Sequence, residues 1–383
     1  MDNPTLGLAA IRAIAEHFQI KGKVVGYTQN LKGYINRTFF LETQPFFGST
    51  RMYTLQQINT AVFPDVDLLM SNYRKTSDYL RQTLNLPGRP EEDSLQTVIP
   101  TLDGGSYYRD GNACWRMLSH FCDVYSLDIP KNPETFYYTG FSFGSFLREI
   151  NKYPVDEFKA VIPNFHNTQS RYEDLERVIE ANPVDRADEV AREIRFVREH
   201  RALFPMISSR LEDGTLPYRI THNDCNLNNI LFDNLTDKPV AIIDLDTVMP
   251  GSPLYDFGDS IRIGTNTAVD DEKDLSKVHF NIGLYEQYAR GYLEACGEML
   301  TKEELALLPY AALVITSEDG IRFLMDYING DTYYTISYDK QNLDRCRTQL
   351  ALLADMEAQL DDIKALLARL YAQFGLEGNP YQY

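Results

Sequence analysis

The chain has 383 residues, 44% of them hydrophobic and 24% charged, with a formal net charge of −18. That length suits two lobes, each with its own core, and the composition is that of an ordinary globular protein. The acidic balance excludes nucleic acid or an anionic membrane as partner, because no basic field exists to recruit a polyanion.

Asn3-Pro4 leads into a short amphipathic helix, about 5–18, with Leu8, Ile11, Ala15 and Phe18 on one face. Three β-like segments follow: 23–29, 36–42 with Phe39 and Phe40, and 51–59 with Met52, Leu55 and Ile58 among polar residues. Between the first two lies Leu31-Lys32-Gly33-Tyr34-Ile35-Asn36. A glycine in such a turn either closes a plain hairpin or brings backbone N–H groups against a phosphate. Residues 65–84 read as a helix with Leu68, Leu69, Tyr73 and Leu80 on its apolar face, stopped by Pro87-Gly88-Arg89-Pro90. Strands over 95–100 and 113–118 complete an α+β lobe with a small antiparallel sheet. The stretch 119–130 reads as a hinge, where a nucleotide base could sit between lobes. This divides the chain into a nucleotide-binding lobe (1–118), the hinge, and a larger, mainly helical catalytic lobe (131–383).

From Asn132 the pattern turns helical. Phe136, Phe143, Phe146, Leu147 and Ile150 recur at helical spacing, and such a stripe is core. Residues 171–203 are charged, with Leu175, Ile179, Val190 and Ile194 as the buried side and a break at Asn182-Pro183. Further helices are expected over 277–297, 301–328 and 341–374. The last carries Cys346, Leu350, Leu353, Leu360, Ile363, Leu367 and Leu370 on one stripe, which docks on its own lobe.

The five cysteines are scattered with no C-x-x-C pair, which argues for reduced, buried thiols rather than zinc or a disulfide framework. The N-terminus lacks a signal-peptide core and no run approaches a membrane span, so a cytoplasmic protein is expected.

Chemistry concentrates in 221–258, THNDCNLNNILFDNLTDKPVAIIDLDTVMPGSPLYDFG. Phosphoryl transfer needs a carboxylate to take a hydroxyl proton and oxygen ligands for magnesium. Asp224 is the candidate base. Asn229, five residues on, can turn back beside it and offer a neutral oxygen to the metal. The buried run Val240–Ile243 ends at Asp244, placing a carboxylate at a cleft mouth, and a period of two puts Asp246 on the same side. Two carboxylates so close repel unless a cation lies between them, so Asn229, Asp244 and Asp246 form the expected magnesium set. Taken alone, the first fragment also fits an Asx-turn with a packed His222. Asp256-Phe257-Gly258 spells the metal-binding tripeptide of protein kinases but lies 32 residues after Asp224, whereas Asp244 lies 20 after it. Asp256 and Asp259 therefore read as structural, bracing the catalytic loop or pairing with Arg262.

His222-x-Asp224-x4-Asn229 with Ile243-Asp244-x-Asp246 resembles the aminoglycoside phosphotransferase/choline kinase family, whose fold is protein-kinase-like. The resemblance runs along nearly the whole chain to members acting on N-acetylhexosamines. It is carried by 33–40, 53–65, 165–175, 221–231, 241–264, 271–280 and 321–334. It implies ATP-dependent phosphorylation of the anomeric hydroxyl of N-acetylglucosamine or N-acetylgalactosamine, with ATP and Mg2+ as cofactors. Asp224 would be the base, with Asn229 and Asp244 on magnesium. Tyr34, Thr247, Arg322 and Tyr333 fall at sugar-contacting positions, and Gly33, Asn36, Thr38 and Gln56 at the nucleotide side. The protein is expected to be a monomer or weak homodimer.

Two departures matter. Tyr34 stands where the family has a sugar-contacting histidine. Gln56-Gln57 stand where protein kinases place the phosphate-binding lysine, so magnesium and the Gly33 turn must bear more of the phosphate charge. Two alternatives follow. One is a kinase for another alcohol, such as choline, homoserine or an aminoglycoside; for a cationic substrate, Glu318, Asp319, Asp326, Asp331, Tyr327 and Tyr333 could supply a ring of acids and aromatics. The other is an inactive nucleotide-binding regulator, which would have lost a base or metal ligand.

Overall fold

The structure is a computed structural model that describes residues 6–30, 35–45, 48–90 and 93–376. The Gly33 turn, Tyr34 and the Asn3-Pro4 lead lie outside the described residues. The chain forms two compact units. One comprises 1–125, 156–162 and 231–249; the other comprises 126–155, 163–230 and 250–383.

The first unit begins with helix α1 (Leu8–Ala15), followed by strands β1 (Lys23–Asn30), β2 (Arg37–Gln44) and β3 (Arg51–Ile58), then helix α2 (Val66–Leu80). Strands β4 (Val98–Ile99), β5 (Tyr108–Asp110) and β6 (Ala113–Ser119) complete an antiparallel sheet of order β1-β2-β3-β6-β4, with β5 on β6. Register sets Gln56 of β3 opposite both Thr38 of β2 and Arg116 of β6. Phe39, Leu41, Leu55, Trp115 and Met117 pack against Ile11, Ile14 and Phe18 of the α1 region. Asp65 caps α2 by accepting the Leu68 N–H at 2.9 Å. The expected hinge contains a short strand, β7 (Val124–Tyr125), paired with β9 (Ile230–Asp233), which in turn pairs with β10 (Pro239–Ile242).

The second unit holds helices α3 (Pro133–Ile150), α4 (Thr168–Ala181), α5 (Ala191–Glu199) and α6 (Pro205–Glu212), strand β8 (Arg219–Thr221), and helices α7 (Pro253–Thr265), α8 (Ile282–Cys296), α9 (Lys302–Ile328), α10 (Gln341–Ala358) and α11 (Leu360–Gln373). Phe136, Phe143, Phe146, Leu147 and Ile150 of α3 are all buried, as the stripe implies. Helices α3 and α8 approach closely because glycines face each other's backbone: a Cβ on Gly291 would lie 2.1 Å from the Tyr137 carbonyl oxygen, and one on Gly140 2.2 Å from that of Tyr288. Helix α9 opens with a reciprocal capping box between Thr301 and Glu304.

Some expected elements differ. The helix expected over 341–374 is two helices, interrupted at Gln359, whose side-chain amide reaches the Phe280 carbonyl at 3.3 Å and the Asp355 carboxylate at 3.1 Å. The helix expected from 277 starts at Ile282, where Asn281 caps it. The strand expected over 95–100 shrinks to Val98–Ile99, with Leu95 bridging Ile242 instead. Four of the five cysteines are buried and Cys122 is exposed. Among the described residues no helix is long and apolar enough to cross a membrane. The architecture is mixed α+β, with an antiparallel sheet in the N-terminal region and a larger helical part after it, as expected.

Candidate active site

Asp224 sits in the second unit, on the loop between β8 and a short 3-10 turn at Leu227–Asn229. Several contacts hold that loop. Asn223 adopts a left-handed backbone with φ 63°, a conformation that asparagine tolerates better than most residues. Asp256, fully buried in α7, accepts the His222 N–H at 2.9 Å and the Asn223 N–H at 2.7 Å. The Ser260 hydroxyl donates to the Cys225 carbonyl at 2.6 Å. His222 is buried edge-on against Phe143 and Phe146. Gly251 leaves no room for a side chain, since a Cβ there would lie 2.5 Å from the Thr221 hydroxyl and 2.7 Å from the Asn223 amide oxygen.

Asn229 turns back on Asp224 as its spacing predicts. Its Nδ2 donates to the Asp224 carboxylate at 3.0 Å and to the Asp224 carbonyl at 2.9 Å. With the nitrogen so used, Oδ1 is the atom of that amide suited to a cation. Asn226 also donates to the Asp224 carboxylate. Burial pushes the Asp224 carboxyl up to about 6, and the Asp259 carboxylate adds to the push while Asn229 pulls against it. Asp256 is likewise pushed up to about 6 by burial, against the two backbone N–H groups it accepts. Asp259 pairs with Arg262 at 2.9 Å. Asp256 thus braces the loop and Asp259 pairs with Arg262, the two roles the sequence allowed for them.

The turn after β10 lies in the first unit and departs from the strand-end reading. Asp244 has φ 59° and ψ 61°, and Leu245–Thr247 form a 3-10 turn, so Asp244 and Asp246 are not related by a strand's period of two. Asp246 is buried and faces Arg116 of β6, whose guanidinium grips it with two N–H groups, one at 2.9 Å. Asn36 Nδ2 donates to the same carboxylate at 2.7 Å, and the Asn36 side-chain oxygen accepts the Asn59 N–H at 2.9 Å. Gln56 accepts from Arg116 Nε at 2.8 Å and donates to the Thr38 hydroxyl at 3.0 Å. The Arg116 guanidinium also stacks over Tyr73 of α2, 4.9 Å from the ring centre. Asn36, Thr38, Gln56 and Asp246 therefore belong to one network centred on Arg116, a residue the sequence reading did not single out. Its signal was a lone charge inside the apolar run Ala113–Leu118. Thr247 is buried beside this network in sequence.

The first unit also carries a cleft of about 500 Å³, lined by Arg89, Asp93 and Ser119–Asp123. Arg89 fixes its wall, donating to Asp233 at 2.8 Å and to the Cys122 and Asp123 carbonyls at 3.0 Å each.

Arg322 and Tyr333 lie in the second unit. Arg322 pairs with Asp319 at 3.2 Å and lies 5.6 Å from the Tyr334 ring centre, while Tyr333 is 69% exposed and packs edge-on against Tyr334. The acids offered for a cationic substrate are engaged internally. Asp326 accepts the N–H groups of Thr332, Tyr333 and Tyr334, Asp331 pairs with Arg186 at 2.6 Å, and Asp319 pairs with Arg262 at 3.1 Å. Glu318 is buried on His166 and Thr168. Among the described residues no three His, Cys, Asp or Glu side chains converge as a metal cage. A magnesium ion carried by nucleotide phosphates needs only one or two protein oxygens, and an amide oxygen such as Asn229 Oδ1 is a donor of that type.

Residues 130–308 match the model of the phosphotransferase enzyme family APH. The fold is similar to an aminoglycoside phosphotransferase from Alicyclobacillus acidocaldarius, at 16% identity, 98% coverage of each chain and a TM-score of 0.55. It is also similar to a spectinomycin phosphotransferase solved with ADP and spectinomycin, at 13% identity, covering 94% of this chain and 99% of that one, with a TM-score of 0.56. An ethanolamine kinase from Plasmodium vivax matches at 13% identity, over 85% of this chain and 82% of that one, with a TM-score of 0.51. Residues 130–308, which contain Asp224, Asn229, Asp244 and Asp246, thus carry the sequence features of the APH phosphotransferase enzyme family, on a fold shared with protein-kinase-like phosphotransferases.

Proposed function

We infer that this protein is an ATP-dependent small-molecule kinase acting as an N-acetylhexosamine 1-kinase, which transfers the γ-phosphoryl group of ATP to the anomeric hydroxyl of N-acetylglucosamine or N-acetylgalactosamine. The observation that carries the reading is Asp224: a half-buried carboxylate on a loop fixed from both sides, with a carboxyl raised to about 6 and Asn229 folded against it. A carboxylate of that kind accepts the hydrogen bond of an attacking hydroxyl and takes its proton as the new bond to phosphorus forms. Asn229 and Asp244 are the residues that would each offer an oxygen to magnesium, and the ion when bound would neutralise charge on the transferred phosphate. On this reading the base of the nucleotide would occupy the cleft at Ser119–Asp123.

By residue type, Arg322, Tyr333, Thr247 and Tyr34 are the candidates for the donors and aromatic surface that a polyol requires. A neutral sugar is favoured over an amine because Glu318, Asp319, Asp326 and Asp331 already satisfy internal partners. The test is ADP release with ATP, magnesium and a panel of N-acetylhexosamines, hexoses, choline, homoserine and aminoglycosides. Turnover confined to N-acetylhexosamines, with 1-phosphate as product, supports the reading; phosphorylation of another alcohol with no hexosamine turnover overturns the substrate.

A further inference from the structure

His166 lies just before α4, with its side chain 10% exposed. Nδ1 is 3.0 Å from the Glu318 carboxylate, and Nε2 is 2.9 Å from the carbonyl oxygen of Asn223, the residue before Asp224. Both ring nitrogens therefore face acceptors, and only an imidazolium can donate to both. Glu318, on α9, is buried and accepts the Thr168 hydroxyl with its other oxygen at 2.8 Å. The Tyr255 ring of α7 lies 5.1 Å from the imidazole, tilted to it, and Asp259, Asp224 and Asp256 are further charged groups whose fields reach it. All these charges are negative.

We propose that His166, held as an imidazolium between Glu318 and the Asn223 carbonyl, is a positioning residue that locks the left-handed turn presenting Asp224 and so sets an alkaline limit on turnover. This rests on the reading of Asp224 as the base. Burial acts to lower the histidine pKa, but Glu318 overcomes it and holds the value up to about 8. The folded value lies above the ordinary histidine value near 6.5, so the brace is complete below about pH 6.5 and lost as pH rises through about 8. On deprotonation Nδ1 keeps its proton for the stronger acceptor, the carboxylate. Nε2 then turns a lone pair on the Asn223 carbonyl and releases the loop.

Glu318→Gln separates this from a merely structural role. A glutamine amide can donate to Nδ1, so a neutral imidazole keeps Nε2–H on Asn223 at every pH. Imidazole 15N shifts, hydrogen exchange of 221–226 and turnover are followed from about pH 6.5 to about pH 9.5. Wild type should show a doubly protonated His166 titrating near 8, with exchange beyond the intrinsic pH dependence and a fall in kcat at the same midpoint. Glu318→Gln should lose that limb, while His166→Phe should be down about tenfold to a hundredfold in kcat at about pH 6.5 and converge on the reduced wild-type rate above about pH 8. A His166 neutral at pH 6.5, or the same alkaline limb in wild type and Glu318→Gln, overturns the proposal. The shifts and exchange need no acceptor alcohol, so they stand whichever substrate the panel returns.

Discussion

Arg116→Met tests the internal architecture of the first unit. The Arg116 and Asp246 side chains are 1% and 4% exposed, and the guanidinium supplies two of the hydrogen bonds on the carboxylate. Removing it leaves Asp246 buried with the Asn36 amide still on it, and also orphans Gln56 Oε1. Breaking one side of such a pair costs about 3–5 kcal/mol, or roughly two to four powers of ten in the folding equilibrium. Trp115, the one tryptophan, is buried on β6 beside Arg116, so fluorescence during urea unfolding reports this unit. Arg116→Met with Asp246→Leu should recover at least half the loss, because no charge is then left unpaired. A single-variant cost under about 1 kcal/mol, or a double variant no better than the single one, would refute the buried pair.

Asp224→Asn should lower kcat by about a thousandfold or more with an unchanged unfolding midpoint, since the amide keeps the shape but cannot take a proton; mass spectrometry of the phosphorylated product checks it. Gly291→Ala should destabilise the second unit by about 1–3 kcal/mol, because its Cβ would lie 2.1 Å from the Tyr137 carbonyl oxygen; a calorimetric midpoint equal to wild type would contradict that packing. Asp233 is held down to about 2 by Arg89 and the N–H groups of Thr236 and Leu235. Its contribution is complete above about pH 4 and lost as pH falls through about 2, so acid unfolding of Asp233→Asn should be flatter over that window. Cys122 is exposed and lines the cleft; ADP should slow its alkylation, and an unchanged rate would place the nucleotide base elsewhere.

The elements that local pattern determines were legible in the sequence. The α3 stripe, the three leading strands and the Asp224–Asn229 turn follow from periodicity and short spacing. The long C-terminal helix was misread because its apolar period continues across Gln359, where the break depends on Phe280, far away in sequence. Asp244 could not be seen as left-handed, since the apolar run before it predicts only a strand. Arg116 and Asp246 are 130 residues apart, and His166 meets Asn223 and Glu318 at separations of 57 and 152 residues. No spacing rule reaches so far. On the proposed reading the identity of the acceptor would rest on side chains scattered over 34–333, the least local feature of all.

The central claim is that Asp224 serves as base in phosphoryl transfer from ATP to a hexosamine C1 hydroxyl. Its most direct test is 31P NMR of wild type and Asp224→Asn with ATP, magnesium and N-acetylglucosamine or N-acetylgalactosamine. Wild type should give a sugar 1-phosphate resonance growing in step with ADP, and Asp224→Asn, folded by circular dichroism, should give none on the same timescale. A 1-phosphate signal formed at near wild-type rate by the variant would contradict the account.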